Sequence, residues 1–127
     1  MSHEAVQTCI DECNECAIIC DHCMSACLNE RDIAMMTRCI ALTRDCADIC
    51  RQAAALMSRG SPIAATFCNL CATLCDMCAE ECNRHEADHC RECADACLNC
   101  AKECRSMAVA AASRKLRAST GMSMGHQ

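Results

Sequence analysis

The sequence predicts an all-α fold, an antiparallel up-down-up-down four-helix bundle with a cysteine-lined core. Three observations lead there. Cys9, Cys13, Cys16, Cys20, Cys23 and Cys27 alternate spacings of four and three, the a/d seam that lays side chains along one stripe of a helix. The seam returns in Cys68, Cys71, Cys75, Cys78 and Cys82, again in Cys90, Cys93, Cys97, Cys100 and Cys104, and in interrupted form in Cys39, Cys46 and Cys50. The segments between the seams are short, which makes successive helices antiparallel neighbours.

Helix 1 is expected over about Ser2 to Leu28. Glu4 puts an acid in its first turn, and Asp11, Glu12, Glu15 and Asp21 form its polar face. Asn29-Glu30-Arg31-Asp32 reads as a turn, with Asp32 as cap of helix 2. Helix 2 is expected from Ile33 to about Ser58, with Met36, Cys39, Thr43, Cys46, Cys50, Ala53 and Met57 facing inward. Thr43 and Ala53 are gaps in its thiol pattern. In Arg59-Gly60-Ser61-Pro62, Gly60 suits a helix C-cap, Ser61 an N-cap and Pro62 the first helical position. Helix 3 should end near Arg84. Asp88 should cap helix 4, which continues through Met107 to Ala111. At 1.5 Å per residue these helices are roughly 33–40 Å long.

The chain has 127 residues, so a single domain is expected. Leu, Ile, Val and Phe together number 17, a share that with this charge would ordinarily argue for disorder. Here 19 cysteines occupy the missing apolar positions, and an unmetallated thiol behaves as a small hydrophobe. Such a core is thin, and bound metal is expected to supply part of the folding free energy. Residues 1–111 are read as the bundle and residues 112–127 as a flexible tail containing Met122, Met124 and His126.

Composition excludes several classes. Net charge is −5, with no basic stripe in the body and no aromatic platform for nucleic acid. No apolar run approaches the roughly 20 residues of a membrane span. The N-terminus lacks a charged n-region, an apolar h-region and a twin-arginine pair, so a cytoplasmic location is expected. In that reducing compartment a cysteine-dense chain reads as metal-binding before disulfide-bonded. The odd cysteine count and the side-by-side projection of i, i+3 and i, i+4 thiols also argue against a disulfide scaffold.

Two sulfurs on adjacent turns of one face can converge on one ion, and Cys-x-x-x-Cys pairs recur along all four helices. Thiolates favour copper(I), zinc and iron–sulfur clusters. Zinc takes a closed set of four ligands, usually from knuckles on turns; this sequence offers unbroken, overlapping rungs instead. No Lys or Arg lies in phase with a thiol stripe. Two thiolates per Cu(I) would leave a net negative charge in a low-dielectric bore, at a cost of several kcal/mol each. One Cu(I) replacing one proton leaves the charge unchanged. Neutrality therefore favours close to one copper per cysteine, on the order of 15–20 ions per chain.

The two ends of the bundle differ. Val6, Ala53, Met57, Ala64, Phe67 and Met107 gather at one end and are expected to close it. Cys27, Met36, Cys39, Cys82, His85, His89 and Cys90 gather at the other, expected to be the mouth. His85 and Met36 are in phase with the stripes and His89 is not; all three are candidate mouth ligands, with a solvated histidine or an ordinary core methionine as the alternatives. His22 reads as surface. Ile10, Ala17, Met24, Ile33 and Ile40 form a second set that broadens the core edge or makes a subunit interface.

With these residues in view, the chain resembles the bacterial copper storage protein family over about residues 3–108. The resemblance rests on the Cys-x-x-x-Cys ladder on four helices, above all on Cys68 to Cys82 followed by His85, His89 and Cys90 to Cys104. The absence of a leader resembles the cytosolic branch. The resemblance implies a homotetramer storing many Cu(I) ions, with the cysteines as ligands. Copper ions are the expected partners, with copper donor or acceptor proteins as further candidates that the sequence does not identify. The Met/His tail is outside the family pattern. The expected function is cytosolic storage of Cu(I), with no enzymatic activity. A zinc or mixed-metal thiolate buffer, akin in role to metallothionein, is the alternative. A thiol redox enzyme is weaker, because no single cysteine stands at a helix N-terminus with a resolving partner.

Overall fold

The computed structural model describes the backbone of residues 3–125 and the side chains of residues 4–112. Its elements are α1 (His3–Leu28), a 3-10 turn (Ile33–Met36), α2 (Thr37–Ser58), α3 (Ala64–Cys82) and α4 (Asp88–Gly125). Each helix packs on its sequence neighbours, and α4 closes back onto α1. The helices thus stand at the corners of a square, α1 opposite α3 and α2 opposite α4, with successive helices antiparallel. Among the described residues no helix is long and apolar enough to cross a membrane.

A second stripe explains how so thin a core packs. Ala47 and Ala54 on α2, Ala72 and Ala79 on α3, and Ala94, Ala101 and Ala108 on α4 each repeat by seven, beside the thiols, and all are buried. Interaxial distance follows the size of the contact side chains. Alanines at the seams therefore bring the backbones close enough for short cysteine side chains to meet across the bore. Outside, Arg51 pairs with Asp21 at 2.5 Å, joining α2 to α1, and Arg105 pairs with Asp76, joining α4 to α3. Both pairs are exposed, where such contacts are worth about 0–1 kcal/mol.

The α2–α3 turn follows from its glycine. Gly60 adopts φ +64°, the left-handed region that favours glycine. The Ser61 N–H donates to the Leu56 carbonyl at 2.9 Å and the Gly60 N–H to that of Met57 at 3.1 Å, the paired bonds of a Schellman C-cap. Beyond it the structure corrects the expected start of α3. Pro62 and Ile63 precede the helix, and the Ser61 hydroxyl accepts from the Ile63 N–H at 3.3 Å instead of capping a helix that begins at Pro62.

Other boundaries shift for local reasons. The Asp32 carboxylate caps the 3-10 turn by accepting from the Met35 N–H at 3.4 Å, so Ile33–Met36 is wound tighter than the start of α2 expected there. At the other end of α3 the helix stops at Cys82, two residues before Arg84. Asp88 is the first residue of α4, not its cap, and places an acid in the first turn. The largest difference is at the end of α4. Its backbone is helical through Gly125, well past Ala111, where the tail is expected to begin. Residues 112–120 contain neither Gly nor Pro and so carry no helix breaker. His126 lies outside the described residues.

Candidate metal centre

All nineteen cysteines are buried, and none is in a disulfide. Each stripe points into the bore because its 3.5-residue repeat keeps one face of the helix inward. The thiols then meet across helices. Cys13 Sγ lies 3.6 Å from both Cys100 and Cys104. Cys46 and Cys75 stand 3.5 Å apart, as do Cys50 and Cys71. Cys20 is 3.6 Å from Cys93 and 3.7 Å from Cys97. Near the mouth, Cys27 and Cys82 both lie 3.7 Å from Cys39.

These contacts group into sets of four whose sulfurs all lie within 4.8 Å of one another. One set is Cys13, Cys71, Cys100 and Cys104; another is Cys23, Cys27, Cys39 and Cys90. Between them run Cys16/Cys46/Cys50/Cys75, Cys16/Cys20/Cys46/Cys97 and Cys20/Cys78/Cys93/Cys97. The first and second of this run share Cys16 and Cys46; the second and third share Cys20 and Cys97. At a metal–sulfur bond of about 2.3 Å, trigonal ligands stand about 4.0 Å apart and tetrahedral ones about 3.8 Å. The observed spacing suits either. Neighbouring sets of this run share an edge of two sulfurs, and a sulfur that belongs to two filled sets bridges two ions.

Thr43 interrupts the ladder. It is fully buried, and its hydroxyl donates to the Cys39 carbonyl at 2.8 Å and lies 3.1 Å from that of Ile40. The hydroxyl is thus engaged along its own helix, and at this level of the bore sulfur comes from the other helices.

The thiols also perturb one another electrostatically. Burial, followed by the charge of Cys39, pushes Cys90 up to about 11. Cys39 is held down, to about 3, by S–H donation from Cys23 and then Cys82. For Cys68, donation from Cys104 lowers the value, but the hydrogen bond to Cys9 and burial outweigh it and the thiol reaches about 12.

The three mouth candidates take different places. His89, out of phase with the stripe, has Nδ1 3.3 Å from Cys23 Sγ and 3.6 Å from Cys90 Sγ. Its Nε2 lies 3.2 Å from Glu30 Oε2. His85, in phase, turns Nε2 to Glu81 Oε2 at 2.9 Å. Met36 is buried in the same core cluster as the thiols. His22 is exposed, as expected. Glu81 is a buried carboxylate that the sequence analysis did not single out. It gathers Arg38 at 3.4 Å, Arg84 at 3.3 Å and His85. Its i, i+3 and i, i+4 spacing to Arg84 and His85 was the available signal.

At the opposite end, expected to be closed, Ala53, Met57 and Met107 are buried and Cys9, Cys68 and Cys104 are fully buried; a pocket of about 570 Å³, open to solvent, lies against Val6, Met57, Ala64 and Met107 with no cysteine in its lining.

Four antiparallel helices enclosing a continuous ladder of buried thiols in edge-sharing sets define a cysteine-lined bundle built for soft metal ions. The chain belongs to the copper storage protein family, whose model matches residues 2–109. It is similar to the Cu(I)-bound copper storage protein BsCsp3, with 44% identity over 82% of this chain and 98% of that chain and a TM-score of 0.79. Apo-Csp3 from Bacillus subtilis gives 45% identity over 80% and 97% with a TM-score of 0.76. A cytosolic copper storage protein from Streptomyces lividans, carrying five coppers, gives 40% identity over 84% and 93% with a TM-score of 0.81. No curated protein matches the chain.

Proposed function

We propose that this protein stores Cu(I) in the cytosol, holding many ions on the cysteine thiolates of its bore at close to one copper per cysteine. The observation that carries the reading is edge sharing: Cys16, Cys20, Cys46 and Cys97 each belong to two of these four-sulfur sets. A ligand common to two sets suits Cu(I), which accepts two or three sulfurs and lets one sulfur bridge. Charge points the same way. Each Cu(I) that displaces one thiol proton leaves the bore neutral, whereas a divalent ion on four thiolates leaves two negative charges in a low dielectric. The Cu(I)-bound and five-copper states of the relatives support this reading, and the cytosolic relative supports the location.

The copper-binding unit is residues 1–111, and His85, His89 and Met36 are its mouth ligands. The role is storage, with no catalytic step. Assembly into a homotetramer is part of the proposal by family resemblance. An outward stripe that starts at Ile63, just before α3, and continues along the helix supports self-association: Ile63, Leu70 and Met77 are 51%, 51% and 42% exposed, with Phe67 and Leu74 half-buried between them. Copper donor and acceptor proteins would meet the mouth.

The test is an anaerobic titration of the reduced protein with Cu(I) against a competing chelator. Tight uptake continuing to near one ion per thiol is expected. Saturation after a handful of ions would sink the storage reading in favour of a discrete metal site.

A further inference from the structure

The chain repeats itself. Cys13-Asn14, Cys16-Ala17 and Cys20-Asp21 of α1 return as Cys68-Asn69, Cys71-Ala72 and Cys75-Asp76 of α3. Cys46-Ala47 and Cys50-Arg51 of α2 return as Cys100-Ala101 and Cys104-Arg105 of α4. The structure repeats with the sequence: the ion pair of Arg51 with Asp21 inside the first hairpin has its counterpart in Arg105 with Asp76 inside the second. The two hairpins therefore serve as controls for each other. What both carry belongs to the fold, and what one carries alone needs another reason.

Glu81 is such a residue. It precedes Cys82, and its counterpart, which precedes Cys27, is Ala26. The Glu81 side chain is 7% exposed. A carboxylate so placed is costly unless charged partners and hydrogen bonds surround it. The first hairpin avoids that cost with alanine and keeps the same thiol stripe. The partners of Glu81 divide between its two oxygens. Oε1 takes Arg84 at 3.3 Å and Arg38 at 3.4 Å, and both arginines are more than half exposed. Oε2 is left to His85, whose Nε2 lies at 2.9 Å.

His85 has no counterpart either: the equivalent position in the first hairpin is Glu30. Buried carboxylate and imidazole thus occur together and on one hairpin only. The His85 N–H donates to the Cys82 carbonyl at 3.1 Å, which places the residue one turn past the last thiol of the α3 stripe. That thiol lies 3.7 Å from Cys39 at the mouth. With Glu81 accepting from Nε2–H, the neutral ring keeps its lone pair on Nδ1. A carboxylate behind a metal-binding histidine fixes its tautomer and ring orientation in this way.

Resting on the reading above that His85 is a mouth ligand, we infer that Glu81 is a positioning residue for copper entry. It holds the His85 ring in one tautomer, with Nδ1 free to take Cu(I). It acts through that ring, and its link to Arg38 on α2 is secondary.

The experiment uses the full chain, reduced and labelled with 15N at histidine. Glu81→Ala installs what the first hairpin already has at this position, so the wild-type helicity is expected. In the apo protein the ring nitrogens of wild-type His85 should report one tautomer, protonated on Nε2, and Glu81→Ala should report a mixture. In anaerobic stopped-flow mixing with Cu(I) supplied on a chelator, Glu81→Ala should slow capture of the first ions by about 10–100-fold. Added to His85→Ala, it should slow capture no further, the non-additivity of two residues that act as one unit. Arg38→Ala, which removes the link to α2 and leaves Glu81 beside His85, should stay near the wild-type rate. The positioning role is overturned by an unchanged tautomer or rate in Glu81→Ala, by additive losses in the double variant, or by equal slowing in Arg38→Ala. Loss of helicity in Glu81→Ala would make the carboxylate part of the fold and overturn it too. Any of these with wild-type uptake to near one ion per thiol leaves storage standing. Wild-type uptake that stops after a few ions overturns storage, and the entry role of His85 and Glu81 with it.

Discussion

The Nδ1 of His89 stands 3.3 Å from the Sγ of Cys23, while Nε2 of the same ring stands 3.2 Å from Glu30 Oε2. An ionised carboxylate only accepts, so a neutral His89 carries its proton on Nε2 and turns the Nδ1 lone pair to the thiols. A carboxylate behind a metal-ligating histidine fixes its tautomer and orientation, and losing such a partner costs about 10–100-fold in affinity or activity. His89→Ala should slow capture of the first copper ions in stopped-flow mixing, and Glu30→Gln should slow it by a smaller factor. Equal early rates in the wild type and both variants would remove His89 from the mouth.

Edge sharing makes the cysteines unequal. Cys97 serves the set with Cys16, Cys20 and Cys46 and also the set with Cys20, Cys78 and Cys93. Cys97→Ser keeps the size but replaces a soft ligand with a hard one, and it should lower capacity by more than one ion. Cys27→Ser, at the edge of the ladder, should lower it by about one. Copper-to-protein ratios after gel filtration measure both. The same loss in each would mean that the sulfurs act singly.

Thr43 offers the opposite substitution. Its hydroxyl bonds to carbonyls of its own helix, so removing it should cost no more than about 1 kcal/mol in urea unfolding of the apo protein. Thr43→Cys completes the α2 stripe between Cys39 and Cys46, and titration should then find a higher copper capacity than in the wild type. An unchanged capacity would show that the gap does not limit loading.

Alkali should unfold the apo protein. Cys90 is pushed up from 9.0 to about 11 and Cys68 from 9.0 to about 12. Thiols whose folded values lie above the unfolded ones favour the native state most fully below the unfolded value, and this stability is lost as pH rises through the folded values. Helicity of the apo protein, followed by circular dichroism, should therefore weaken between about pH 9 and pH 12. The copper-loaded protein should resist, because the ions have already taken the place of those protons. Identical alkaline transitions with and without copper would contradict this.

Much of the molecule was legible because the thiol repeat is so regular. A strict alternation of three and four sets the inward face of each helix to within a residue, and every cysteine from Cys9 to Cys104 is buried as expected. The polar details were less legible. His89 was out of phase, yet a residue in the first turn of α4 can reach sideways to Cys23 on α1, a packing relation that periodicity does not encode. Glu81 was hidden for the same reason: its burial depends on Arg38, which belongs to α2. The alanine stripe was visible all along in the seven-residue spacing of Ala94, Ala101 and Ala108, but alanine is so common in helices that the repeat did not stand out beside the cysteines.

Each Cu(I) that takes the place of a thiol proton leaves the charge of the bore unchanged, and no lysine or arginine among the described residues is buried there to be neutralised. A filled molecule therefore differs from an empty one in mass and hardly in isoelectric point. Ion-exchange chromatography and native electrophoresis should co-migrate the two, while mass spectrometry and sedimentation separate them. For the cell this means a cargo whose amount can change over its full range while the carrier keeps the same colloidal behaviour and the same electrostatic face toward its neighbours.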